Sequence, residues 1–186
     1  AKMGYAIGRK NDSRTRPGRA TFLPEIFAGL IFTVAVPLLI GTVLEPQLLG
    51  LSVLAPPELL VLGSIFFFLG LVIAFGGVFY LARVVGPGFA SSPPRLCRKG
   101  PYAYVRNPGY MGGIIVILGL ALLLFSPILP FYAILTWVRL HLVVVRYEEP
   151  MFARIFGEEY DEYRKQAGRW LPLLRRQRPS FPRKES

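Results

Sequence analysis

Of 186 residues only one is a cysteine, Cys97, and the chain has 11 acidic side chains against 22 Lys and Arg. A single cysteine excludes an internal disulfide, and the sequence places no metal-type cluster around it, so Cys97 reads as an ordinary loop cysteine and no metal is expected. Walker and dinucleotide glycine spacings are both missing, which removes the usual phosphate-loop classes. The shortage of acids leaves a net charge of +11, a balance that could suit nucleic acid. The distribution argues against that partner, because the basic residues sit just outside apolar segments, as the positive-inside rule expects. There they face anionic lipid headgroups, each contact worth about 1 kcal/mol.

Apolar surface is what the chain has in plenty. Hydrophobic residues make up 53% of it and the mean hydropathy is +0.44, which places it in the integral membrane class. The expected fold is all-α, with about four transmembrane helices, a cytosolic loop and a C-terminal amphipathic helix capping the bundle. Residues 1–21 read as a flexible basic arm without the short apolar region and cleavage site of a signal peptide, so the first span is expected to stay as an anchor. That span covers roughly 22–44, with Pro37 placed to kink it, and a turn with Glu45, Pro46, Pro56 and Pro57 follows. The second span runs roughly 58–85, and its Gly63, Gly70, Gly76 and Gly77 would let a neighbouring helix approach closely.

A loop over 86–108 carries Arg95, Arg98, Lys99 and Arg106. Two further apolar runs, 109–125 and 128–147, read as a helical hairpin, and Gly109 with Gly113 offers a GxxxG pair for its packing. The N-terminal arm, this loop and the tail 172–186 are all rich in Lys and Arg, whereas the other two turns have none. The expected orientation puts both termini in the cytosol, in the cytoplasmic membrane of a prokaryote. Residues 22–171 then form one membrane domain. From Met151 to Lys165, apolar and charged residues alternate at helical spacing, as in one amphipathic interfacial helix.

Two polar clusters interrupt this apolar pattern. The loop Gly100–Gly112 holds Tyr102, Tyr104, Arg106, Asn107, Pro108 and Tyr110, and it leads into a helix N-terminus, where free N–H groups suit an anion. The bland reading is a positive-inside loop with interfacial tyrosines. Glu148 and Glu149 follow the hairpin, and Pro150 should end the span there, leaving the carboxylates either to cap the next helix or to bind an ammonium, ribose hydroxyls or a sulfonium ligand. Arg139 and His141 lie inside the fourth span, where ionisable groups usually face the protein interior; Arg139 shares a face with Arg146, and His141 with Glu148. Substrate contact and a structural pairing both remain open for Arg139.

The ordered series Gly100-Pro101-Tyr102, Arg106-Asn107-Pro108-x-Tyr110-x-Gly112, an apolar hairpin, Glu148-Glu149, then Phe156-Gly157-Glu158-Glu159-Tyr160-x-x-Tyr163 resembles the isoprenylcysteine carboxyl methyltransferase and phospholipid methyltransferase superfamily over roughly 98–172. That resemblance implies S-adenosylmethionine as cofactor, bound by Arg106, Asn107, Pro108, Tyr110 and Gly112 on one side and by Glu148 and Glu149 on the other, and Tyr102 joins these candidates as a ring placed to stack on a flat base. Arg106 and Glu149, together with Arg146 and Arg139 of the fourth span, are the candidates for acting on substrate, read from their charge in apolar surroundings. Many relatives have His where this chain has Asn107, and Asn cannot titrate near neutrality, so no proton transfer is expected at that position. The implied reaction is methyl transfer at the cytosolic membrane face to a lipidic or prenylated acceptor, with O-methylation of an isoprenylcysteine-like carboxylate favoured. Two other readings compete: an NADPH-dependent sterol-type membrane reductase, and a non-catalytic adaptor whose basic arms bind anionic lipid.

Overall fold

The computed structural model describes Gly29 and residues 31–50, 55–85 and 95–173. The basic arm 1–21, the start of the first span, most of the loop before Arg95 and all but the first residues of the 172–186 tail lie outside the described residues. What is described is helical: α1 (Ile31–Leu49), α2 (Pro57–Val85), α3 (Pro108–Leu123), α4 (Leu129–Phe156) and α5 (Glu158–Gln166). Helices α1, α2 and α4 are long and apolar enough to cross a membrane, and α3 is a shorter apolar helix of 16 residues. At 1.5 Å per residue α3 spans about 24 Å, short of the hydrocarbon thickness.

Helix α3 compensates for its length by sitting at the centre. Val116 and Ile117 are fully buried, and Leu120 packs with Ala121 and Leu129 against Val34 and Ile40 of α1 and Phe67 and Leu71 of α2. The antiparallel α2–α3 seam is backbone on backbone. A Cβ at Gly70 would stand 2.6 Å from the Val116 nitrogen, one at Gly63 2.9 Å from the Leu123 nitrogen, and one at Gly119 2.5 Å from the Phe67 nitrogen. Those positions recur every seven residues, which keeps them on one stripe of each helix. Gly76 lies off the stripe, with open space where its Cβ would go, so its expected packing role falls away. The Gly109/Gly113 pair is also divided, because Gly109 faces Val78 on α2 while Gly113 faces Thr33 on α1.

Three prolines sit inside helices without breaking them. Pro37, Pro46 and Pro150 are preceded by π turns at Ile31–Ala35, Ile40–Leu44 and Val144–Glu148, each centred four residues upstream of its proline. Proline returns no N–H to that carbonyl and its ring crowds it, so the chain widens by one residue there instead of ending. This corrects two expectations. Glu45 and Pro46 belong to α1 and not to a turn, and α4 continues through Glu149–Pro150 to Phe156. The single amphipathic helix expected over 151–165 is in fact two pieces. Gly157, at φ 54 and ψ −129, breaks it and turns α5 back onto the end of the bundle.

Candidate functional site

The turn before α3 and the segment after α5 meet at one end of the bundle. The Arg106 N–H donates to the Gly168 carbonyl at 2.8 Å and the Gly168 N–H to the Tyr104 carbonyl at 3.1 Å, a one-residue parallel bridge. The Asn107 Nδ2 donates to the Arg169 carbonyl at 3.2 Å, so this amide's first use is to hold the C-terminal segment. Tyr163, buried in α5, donates its hydroxyl to the Tyr102 carbonyl at 2.8 Å. Tyr160, Tyr163 and Ala167 form a small core with Leu96, Phe152 and Phe156.

Those contacts bring three charges together. The Glu149 carboxylate accepts from two of the three guanidinium nitrogens of Arg169, Nε at 2.6 Å and Nη2 at 2.9 Å, in the bidentate geometry that suits a planar fork. Arg106 Nη1 lies 3.1 Å from the same carboxylate and donates to the Tyr160 hydroxyl at 3.1 Å. Glu149 sits mid-helix and makes no cap, contrary to one expectation. Its neighbour Glu148 points to a different partner, accepting from the Tyr110 hydroxyl at 2.5 Å. The π turn at Val144–Glu148 adds a residue immediately before Glu149 and so sets the angle at which both carboxylates leave α4.

A cavity of about 60 Å³ opens between these groups, lined by Tyr102, Arg106, Asn107, Glu148 and Glu149 together with Cys97, Phe152, Tyr160 and Tyr163. Cys97 is a free cysteine in a loop, as read from the sequence, but a buried one that lines the cavity. It is 6% exposed, and burial raises its thiol above the usual range, against a backbone hydrogen bond at Lys99. Burial likewise raises the phenols of Tyr102, Tyr160 and Tyr163, which stay neutral at physiological pH. Among the described residues, the Arg106 Nε is fully buried with no hydrogen-bond partner.

The expected site residues divide accordingly. Tyr102, Arg106, Asn107, Glu148 and Glu149 line the cavity, and Tyr110 reaches it through Glu148. Pro108 and Gly112 do not line it. Pro108 packs on Gly77, and a Cβ at Gly112 would meet the Gly70 carbonyl at 2.7 Å, so both serve the α2–α3 seam. Arg139 and Arg146 are exposed, and Arg139 lies with its guanidinium 5.3 Å from the Phe32 ring, not in the protein interior. His141 accepts from the Trp170 indole at 3.2 Å, within a cluster that includes Trp137. Sequence reading missed Arg169 and Gly168 altogether and gave Tyr160 and Tyr163 no place in the site, only one on an apolar helix face and in the motif. The two tyrosines stood in the quoted motif, whereas Arg169 follows the end of the amphipathic pattern and carries no local signal.

An all-helical membrane bundle that closes one end over a buried arginine–carboxylate cluster defines a class of integral membrane protein with a polar site at one end of its helices. The phospholipid methyltransferase family model matches residues 59–159, more than half of the 186, and the chain belongs to that family. Among curated proteins it resembles the protein-S-isoprenylcysteine O-methyltransferase of Tribolium castaneum, 30% identical over 89 residues, which are 45% of this chain and 30% of that protein. It also resembles the enzyme of the same name from Schizosaccharomyces pombe, 37% identical over 81 residues, 42% of this chain and 34% of that one. The chain therefore spans about a third of the length of these relatives. A solved structure of the eukaryotic intramembrane Ras methyltransferase ICMT shares the fold, with a TM-score of 0.52 at 24% identity over 81% of this chain and 53% of that one.

Proposed function

We propose that the chain is an S-adenosylmethionine-dependent methyltransferase that esterifies the carboxylate of a prenylated or similarly lipidic acid at the cytosolic membrane face. The observation that carries this reading is the cavity's unbalanced polarity. Among the described residues, Arg106 Nε–H is buried without an acceptor, and Glu148 lines the same cavity with Tyr110 as its single hydrogen-bond donor. A buried donor without an acceptor costs about 1–3 kcal/mol, a cost that a bound carboxylate removes. One unsatisfied cationic donor and one carboxylate in the same small space suit the zwitterionic end of an amino acid, which is what the methionyl part of the cofactor presents. A space of about 60 Å³ admits that end and not a whole nucleoside.

In this proposal Arg106 holds the cofactor's carboxylate and Glu148 its ammonium, while Glu149 and Arg169 fix the Arg106 guanidinium in place. When bound, the cofactor supplies a methyl group already activated by its sulfonium. The acceptor carboxylate is ionised at neutral pH, so the chain needs no general base, and its task is alignment and the exclusion of water. Tyr102, Tyr160 and Tyr163 keep the cavity wall neutral and dry. The names of the curated relatives support a prenylated cysteine as acceptor, and the Lys/Arg-rich loop supports a cytosolic site. Arg139 and Arg146 belong to the proposal only as groups that an acidic substrate would pass along the outside of α4.

Incubating full-length protein with methyl-labelled donor and farnesylcysteine, with farnesylcysteine methyl ester as control, tests the reading. Label is expected in the free acid alone. Transfer to neither acceptor, in protein that binds S-adenosylhomocysteine, would redirect the activity to amine or thiol substrates. Binding of NADPH in place of S-adenosylhomocysteine would remove the methyltransferase reading.

A further inference from the structure

The opposite end of the bundle holds a larger space. The end of α1, the start of α2 and the α3–α4 turn enclose a groove of about 750 Å³, walled by Gly41, Leu59, Leu60, Leu122 and Phe125 among others, with Glu45 and Ser126 as its polar side chains. Glu45 is 3% exposed. Its Oε1 accepts from the Ser126 hydroxyl at 2.6 Å and from the Ile128 N–H at 2.9 Å, and the Ser126 Oγ in turn accepts from the Leu129 N–H at 3.0 Å. These bonds cap the N-terminus of α4 and account fully for Oε1. They leave Oε2 with no hydrogen bond from any described residue.

A carboxylate oxygen in an apolar groove needs a donor, and a charged one satisfies it best. Among the described residues that line the groove there is no Lys or Arg that could serve. We propose that this groove binds an amphiphilic amine, its ammonium on Glu45 and its apolar chain along Leu59, Leu60 and Leu122. The same lack of basic side chains speaks against a phospholipid, whose phosphate would be carried into an apolar wall without a partner. The occupant is therefore an ammonium attached directly to an apolar body. This site lies a full helix length from Arg106 and is independent of the methyl-transfer reading.

Melting of the detergent-purified full chain with dodecylamine, and with dodecanol as the uncharged partner of equal chain length, tests the proposal. Dodecylamine is expected to raise Tm saturably, at a concentration about tenfold lower than dodecanol, the factor that one charge-assisted hydrogen bond supplies. Glu45→Gln keeps an acceptor for the α4 cap and is expected to erase most of that preference. Equal responses to amine and alcohol in the unaltered protein, or a preference that survives in Glu45→Gln, overturns the proposal. Where Glu45→Gln does not fold, Leu60→Trp decides, since it fills the groove from a half-exposed position on α2. It is expected to abolish the dodecylamine response, and a retained response overturns the proposal.

Discussion

The α2–α3 seam and the Arg106–Glu149–Arg169 cluster hold the molecule together by opposite means. The seam works through missing side chains: Gly63, Gly70, Gly112 and Gly119 let two backbones touch along a hairpin whose partners come from neighbouring spans. The cluster works through long polar side chains contributed by four separate segments, at residues 106, 149, 160 and 169. In the seam any added atom is harmful, whereas in the cluster any removed charge is. A rigid, tightly packed hairpin thus carries a polar site built almost wholly of side chains, and each region should fail in its own way.

Substitution on the seam is expected to have the largest effect. Gly112→Leu drives a side chain into the Ala74 and Gly70 backbone, which cannot rotate away. Overpacking costs about 1–3 kcal/mol and occasionally more, and a backbone obstacle puts this variant at the upper end or above. Loss of a monodisperse peak and of the melting transition in detergent is the expected result. A Tm near that of the unaltered chain would mean that the seam opens freely.

Removing the shared carboxylate comes next. Glu149→Ala leaves Arg106, with a side chain 11% exposed, beside Arg169 without their common partner. Breaking a buried pair costs about 3–5 kcal/mol, and the partial exposure of Arg169 at 32% lowers the expectation to about 2 kcal/mol. Melting should show that drop, and S-adenosylhomocysteine binding should fall below detection in protein that is still folded. Unchanged binding would take the cluster out of the site.

Gly157→Ala should cost about 1–3 kcal/mol, because φ 54 with ψ −129 is open to glycine and strained for alanine. Its effect on ligand affinity should exceed its effect on the seam, since Tyr160 and Tyr163 depend on the turn. Hydrogen exchange confined to α5 and the 167–170 segment would show this, and uniform exchange across α2 and α3 would contradict it.

The smallest effect is expected one residue off the stripe. Gly76→Ala meets open space and should stabilise α2 by up to about 1 kcal/mol, while Gly77→Ala crowds the Gly109 nitrogen at 3.1 Å and should lower Tm slightly. Equal and opposite signs from adjacent glycines would sharpen the seam to one stripe; a loss at Gly76 would broaden it.

The two regions also differ in how far the sequence discloses them. Small residues at helical spacing between long apolar runs announce a close helix contact, so Gly63, Gly70 and Gly77 were readable, and only the register that excludes Gly76 was not. The prolines were equally visible. Their consequence was not, because a proline inside a helix has two outcomes, an end or a widened turn, and neighbouring packing chooses between them. At Pro150 the widened turn carries α4 on past Glu149, which turns an expected cap into the centre of an ion cluster. Arg106 and the two glutamates stood out as polar groups in apolar surroundings. Arg169 did not, since an arginine beyond the last amphipathic turn looks like any surface residue until Gly157 folds α5 back and the 105–168 bridge brings it to Glu149.

The central claim is that Arg106 and the glutamates form one side of a cofactor site. Isothermal titration of S-adenosylhomocysteine into detergent-purified protein, run on the unaltered chain and on Arg106→Ala with NADPH as parallel titrant, tests it most directly. Saturable binding of S-adenosylhomocysteine alone, lost in Arg106→Ala with the melting transition retained, is the expected result. Equal binding by both proteins, or binding of NADPH in place of S-adenosylhomocysteine, would contradict it.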